Sequence, residues 1–289
     1  MLIACDSQTG NQNQETEISS VVLEQVWATE PVLKTPESVL YHPESKILYV
    51  SNINGVPSEK DGNGFISKLT LDGAVEELEW AKGLNAPKGM AISSSSLFVT
   101  DIDELVEINL ETGEIVGRYP VEGATFLNDA TVDNEGVVYF SGSESGKIFR
   151  LNNKQVEVFM DSAVAGVNGL LFNSGKLLAL VNGDQTIKEI DIASLSIDSL
   201  ARFTGHGDGI VIANDSSFLI SNWEGQVFYW TREREPALAL DTKEEEINSA
   251  DIEYIPDENL LLVPTFFDDR VVAYRLTTEN LAENASVQP

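Results

Sequence analysis

Short apolar runs, each opened by one polar residue and followed after a turn by a second apolar run, recur along the chain. Glu37-Ser38-Val39-Leu40-Tyr41 lines up with Asn128-Asp129-Ala130-Thr131-Val132, Asn168-Gly169-Leu170-Leu171-Phe172 and Asp208-Gly209-Ile210-Val211-Ile212. The second runs read KILYVS, SLFVT, VVYFSG, KLLALVN, FLISN and LLLVPT. The opening residues are Glu37, Lys88, Asn128, Asn168, Asp208 and Ala250, spaced 51, 40, 40, 40 and 42 residues apart. No helical period is present. Turn signals such as Leu71-Asp72-Gly73 and Asn134-Glu135-Gly136 separate the runs, as expected where hairpins are needed at low conformational cost. A unit of about 40 to 45 residues holding about four short strands is the mark of a propeller blade. The pattern predicts an all-β, six-bladed β-propeller; a β-sandwich is the alternative that this regularity disfavours.

Residues 20–34 (SVVLEQVWATEPVLK) precede the first opening residue and belong to no blade of their own. They are expected to supply the outer strand of the last blade, closing the ring and removing exposed sheet edges. The expected organisation is a flexible segment over residues 1–19, one propeller over 20–279 and a tail over 280–289.

Composition narrows the partners. With 47 acidic against 18 basic residues the chain carries a formal charge of −29, which repels nucleic-acid phosphates and anionic lipid heads. No run approaches the roughly 20 apolar residues of a membrane span. Cys5 is the sole cysteine, so the described packing must hold the fold without an intrachain disulfide. Its setting, Leu2-Ile3-Ala4-Cys5, resembles a bacterial lipobox, followed by a polar stretch that cannot bury enough surface to order itself. A lipid anchor at Cys5 and an exported, periplasmic or cell-envelope location are therefore expected; an ordinary N-terminus of a cytoplasmic protein is the alternative. Oligomeric state is left open.

Strand direction places the chemistry. The innermost strands line the central channel, so their opening residues ring one mouth, and the loops between second and third strands reach the same face. That rim gathers Asp101-Ile102-Asp103, Ser141-Gly142-Ser143-Glu144, Asn182-Gly183-Asp184, Asn222-Trp223-Glu224 and Thr265-Phe266-Phe267-Asp268, together with a Gly- and Asn-rich excursion over residues 52–64. Glu37, Asn128, Asn168 and Asp208 would point two carboxylates and two amide oxygens at one centre, which suits a hard cation such as calcium, or another divalent ion. Strand-end capping in a hydrated channel is the alternative. Thiolates are absent at this mouth and histidine is scarce, which argues against zinc or copper. Lys88 would repel the ion unless it leans out to Asp101 or Asp103, or meets an anionic substrate; Ala250 brings no ligand, and Asp129 should face away from the channel by strand alternation. His206 sits in a loop feeding this mouth as a candidate proton shuttle, with rim packing as the alternative, whereas His42 falls on the opposite face. No Gly-x-Ser-x-Gly elbow is present, so covalent serine hydrolysis finds no support.

Taken together, Glu37 before an apolar strand, Asn128-Asp129 followed by Val132-Asp133-Asn134-Glu135-Gly136, Asn168-Gly169-Leu170 and Asp208-Gly209-Ile210 resemble the regucalcin/gluconolactonase (SMP-30-like) family over about residues 35–276. The resemblance implies a six-bladed propeller with Glu37, Asn168 and Asp208 as metal ligands and Asn128 touching metal, its water or substrate. The same quartet is similar to that of calcium-dependent diisopropylfluorophosphatases, while Ala86-Pro87-Lys88-Gly89-Met90 looks like the NHL-type repeats of non-enzymatic propellers. Sugar-lactone members carry Arg two residues before the Asn-Asp pair, where this chain has Phe126, so a less polar ester or lactone is expected. The implied activity is calcium-dependent hydrolysis of a small lactone or ester, with Asp208 and His206 as catalytic candidates. Lys88, Phe126, Asn182, Trp223 and Phe266 are the candidate substrate contacts. A non-catalytic binding propeller, with a structural metal or none, is the alternative.

Overall fold

The structure, a computed structural model, describes residues 18–214 and 216–280. Cys5 and most of the expected N-terminal segment and tail lie outside them. The described residues form six four-stranded antiparallel sheets arranged as blades. Their innermost strands are Pro36–His42, Pro87–Ser93, Leu127–Val132, Val167–Asn173, Gly207–Asn214 and Glu253–Ile255. The last blade is completed by the N-terminal strand Ile18–Ala28, which pairs with Val271–Asn280 from Ile18 opposite Asn280 to Ala28 opposite Val272. Closure therefore joins the two ends of the propeller in one sheet, as the unplaced run over residues 20–34 led one to expect.

The apolar runs pack between blades and leave the axis polar. Leu33, Val39, Leu48, Val50 and Leu69 of the first blade meet Ile255, Leu260, Leu262 and Val271 of the last, with exposures of 5% or less. Equivalent clusters fill the other interfaces. Each such side chain removed from water contributes about 1.5–3 kcal/mol, so the ring is held by its seams.

At the mouth the inner strands are not regular. In five blades the pairing slips beside the opening residue, between Pro36 and Ser38, Pro87 and Met90, Leu127 and Ala130, Val167 and Leu170, and Gly207 and Ile210. A bulge leaves a residue outside the ladder and re-aims its side chain; here it leaves buried backbone groups that need other partners. Hydroxyls on the second strand provide them. Ser51 Oγ accepts from Ser38 N at 2.9 Å, Ser141 Oγ from Asp129 N at 2.9 Å and Ser221 Oγ from Gly209 N at 2.8 Å, while Thr100 Oγ1 donates to the Asn128 carbonyl. The Ser or Thr near the end of KILYVS, SLFVT, VVYFSG and FLISN is thus what holds the bulge. Crowding after the bulge explains two glycines: a Cβ on Gly89 would lie 2.4 Å from Asp129 Cα, and one on Gly209 would lie 2.6 Å from both Asp251 Oδ1 and Ile252 N.

Candidate functional site

Every candidate site residue lines one cavity of about 540 Å³ at this mouth: Glu37, Lys88, Phe126, Asn128, Asn168, Asn182, His206, Asp208, Trp223 and Phe266. Ile53, Pro57, Ser143, Glu224 and Phe267 complete its wall. His42 lies in a second hollow at the far ends of the inner strands, with Tyr41, Met90 and Thr131.

The floor is a set of buried oxygens without donors. Glu37 Oε2, Asn128 Oδ1, Asn168 Oδ1 and Asn182 Oδ1 are buried and have no hydrogen-bond partner among the described residues. Asp208 Oδ1 accepts from Asn168 Nδ2 at 2.9 Å. That carboxylate, which accepts when ionised, fixes which way the Asn168 amide faces and leaves its oxygen free. Leaving a buried acceptor unpaired costs about 1–3 kcal/mol, and all four orphans are acceptors. The amide oxygens of Asn128 and Asn168 with the carboxyl groups of Glu37 and Asp208, two of each kind, fit a hard cation.

The electrostatics agree. Burial, and then the Asp208 charge, hold the Glu37 carboxyl well above the usual carboxylate range, with Lys88 acting against them. Burial and Asp251 push Asp208 up to about 8, although Asn168 donates to it. Asp251 is raised to about 7 by burial, despite a 2.6 Å hydrogen bond from Ser38 Oγ. Asp129 is raised by burial and Asp251. The Asp129 carboxylate lies in the seam between the third and fourth blades, where it accepts from Leu170 N at 2.5 Å. Ala250 is buried and its carbonyl accepts from Ser221 Oγ. Sequence reading did not foresee that Asp129 and Asp251 form a buried acidic layer behind the mouth, because nothing in a single blade shows what its neighbour presents.

Lys88 corrects one expectation. Its ammonium pairs with neither Asp101 nor Asp103. Asp101 instead accepts from Asn85 N and Ala86 N at 2.8 and 2.7 Å, and Asp103 is bridged by Lys60 at 2.6 Å. Lys88 Nζ donates to the carbonyls of Pro57 at 2.9 Å and Ala86 at 3.0 Å and lies 4.5 Å from the centroid of the Phe126 ring. Burial lowers its pKa, with Glu37 and Asp101 opposing. The excursion over residues 52–64 therefore serves as a clamp: Pro57 holds Lys88, and Lys60 reaches across to the second blade.

On the rim, His206 Nδ1 meets Glu224 Oε1 at 2.5 Å and its backbone N–H donates to Glu224 Oε2 at 2.9 Å. Glu224 was legible as a rim residue but not as the partner that orients His206. Beside this pair, with Trp223 N donating to the His206 carbonyl at 2.9 Å, stands an aromatic group: Trp223 to Phe266 at 5.8 Å, Trp223 to Phe267 at 6.0 Å and Phe266 to Phe267 at 4.8 Å, all edge to face. Phe266 has φ +51° and Ile102 has φ +58°. Both are unusual for bulky side chains and cost about 1–3 kcal/mol each. The two share one small cluster with Ile53, Ala86 and Ala250, so the strained pair supports the aromatic wall from below. Asn182 Nδ2 donates to the Gly207 carbonyl at 3.1 Å, which ties it to the strand that carries Asp208.

No family model and no curated relative matches the chain. Solved structures do. A gluconolactonase from Xanthomonas campestris superposes with a TM-score of 0.66 at 15% identity, covering 88% of this chain and 87% of its own. The chain is a gluconolactonase-like six-bladed propeller in its fold. A luciferin-regenerating enzyme gives 0.63 at 14% identity, with 91% and 98% covered. A catalytically inactive His-to-Ala variant of virginiamycin B lyase from Staphylococcus aureus, solved with quinupristin, gives 0.64 at 14% identity, with 89% and 100% covered.

Proposed function

We propose that the cavity is a calcium-dependent hydrolytic centre acting on a small lactone or ester. The observation that carries this reading is the cluster of buried acceptor oxygens on Glu37, Asn128 and Asn168 beside the Asp208 carboxylate, none of the three with a donor to satisfy it. Structural likeness to a gluconolactonase supports the same reaction class.

When bound, calcium would polarise the carbonyl and stabilise the charge that develops on its oxygen. Glu37, Asn128, Asn168 and Asp208 are the residues that would hold it. Asn168 Nδ2 fixes the Asp208 carboxylate, which orients the attacking water and takes its proton. The water oxygen bonds to the carbonyl carbon, and the bond from that carbon to the ring or alkoxy oxygen breaks. His206, held by Glu224 through both its ring and its backbone, returns a proton to the leaving oxygen. His206 lines this cavity, within reach of a ligand held there.

Metal analysis of the purified protein, followed by turnover of a panel of lactones, esters and phosphotriesters, tests the proposal. Calcium-dependent hydrolysis lost in Asp208→Ala supports it. Bound calcium without turnover of any of these would instead make this a binding propeller that presents Trp223 and Phe267, which are 37% and 68% exposed.

A further inference from the structure

The cavity has a polar floor and an apolar wall, and the two make different demands on a ligand. Beyond the oxygen cluster, the apolar surfaces that would face a substituent are Phe126, Trp223, Phe266, Phe267, Ile53 and Pro57. Ser143, Asn182, His206 and Glu224 also line the cavity, but Ser143 Oγ and Asn182 Nδ2 already donate to backbone carbonyls and Glu224 is engaged by His206, which leaves Asn182 Oδ1 as the unpaired buried polar atom of this part. Among the six apolar residues, the Trp223 indole N–H is the one group able to pair with a sugar hydroxyl. Lys88, the one lysine or arginine among the lining residues, is buried, and its ammonium already serves two carbonyls and the Phe126 ring. With calcium held by Glu37 and Asp208 their two negative charges are matched by the ion, and Glu224 is engaged by His206. A polyol entering this space would surrender more hydration than Asn182 Oδ1 and the Trp223 N–H could replace, and an anionic substituent on the aromatic side would find no protein cation there to pair with.

We infer that the site selects neutral lactones or esters bearing an alkyl or aryl substituent, seated against Trp223, Phe266 and Phe267, over polyhydroxylated or anionic ones. This rests on the hydrolytic reading above. A volume of about 540 Å³ lies in the range that encloses most of a compact organic ligand. Packing of Phe266 and Ile102 against Ile53, Ala86 and Ala250 outweighs the cost of their positive φ and keeps the wall in place before any ligand arrives.

The test uses the full chain with calcium and a matched series: δ-valerolactone, its butyl-substituted homologue, glucono-δ-lactone and a carboxylate-bearing δ-lactone. Each buried methylene contributes about fourfold, so kcat/KM should rise at least about tenfold from the unsubstituted to the butyl lactone. It should be lower for the polyol and the anion. Trp223→Ala and Phe267→Ala should each lower the butyl-to-unsubstituted ratio several-fold. The matching δ-lactams, titrated by calorimetry, report binding without turnover. Equal or faster hydrolysis of the polyol, or no dependence on chain length, overturns the selectivity while the hydrolytic reading stands. No turnover of any lactone, with lactam affinity still rising with chain length, overturns the hydrolytic reading and keeps the apolar preference. Absence of both overturns both.

Discussion

Replacing Asp208 by Asn should make the metal-free protein more stable at neutral pH while abolishing its response to calcium. In the folded chain the Asp208 carboxyl is raised to about 8 from an ordinary value of 3.8. Between about pH 4 and 8 the folded protein thus keeps a proton that the unfolded chain has released, so the contribution of this group to metal-free stability is fully present below about pH 4 and is lost as pH rises through that window. At pH 7 the opposing free energy for this one group is on the order of 4 kcal/mol. Asp251, raised to about 7, contributes in the same direction. Asparagine cannot ionise, and its amide oxygen still accepts from Asn168 Nδ2. Calcium at about 100 times its dissociation constant should add about 2.7 kcal/mol to the wild-type protein, a rise in Tm of about 5–10 °C. The same ion should leave Asp208→Asn unmoved. Differential scanning calorimetry of both proteins at pH 5 and 7.5, with calcium and with chelator, reads all four quantities. A variant less stable than wild type at pH 7.5 without metal, and still raised by calcium, would refute the argument that the ion relieves the burial of the Asp208 carboxylate and its repulsion by Asp251.

Other outcomes follow from the same geometry. Lys88→Met removes the one cation facing Glu37 and should tighten calcium binding about tenfold, read by titration calorimetry. Gly209→Ala forces a Cβ against Asp251 Oδ1 and Ile252 N, both 2.6 Å away, and should cost about 1–3 kcal/mol in urea denaturation. Ser141→Ala leaves the bulged Asp129 N–H without its acceptor and should cost a similar amount, about 1–3 kcal/mol, with the Gly209 control separating crowding from hydrogen bonding.

The ring and its contents were legible because each blade repeats the same spacing, so Glu37, Asn128, Asn168 and Asp208 could be aligned and set on one rim from numbers alone. What escaped was what no single repeat encodes. The seam between blades decides that Asp129 turns to Leu170 N and Asp251 to Ser38 Oγ, and a loop from the first blade decides where the Lys88 ammonium goes. The bulges carried a signal in the recurrent Ser or Thr of the second strands, which reads as ordinary polarity until its hydrogen bonds are known. Phe266 and Ile102 gave none, since bulky residues at positive φ follow from tertiary packing and not from local preference.

Pairing of Ile18–Ala28 with Val271–Asn280 has a directional corollary. Val271 follows directly on the rim residues Phe266 and Phe267, so the strand runs away from the opening and its partner runs toward it. Ile18 and Asn280 consequently emerge side by side at the base of the ring. The first and last described residues thus sit on the face opposite the entrance, like the foot of a cup, and neither described end of the chain crosses the opening.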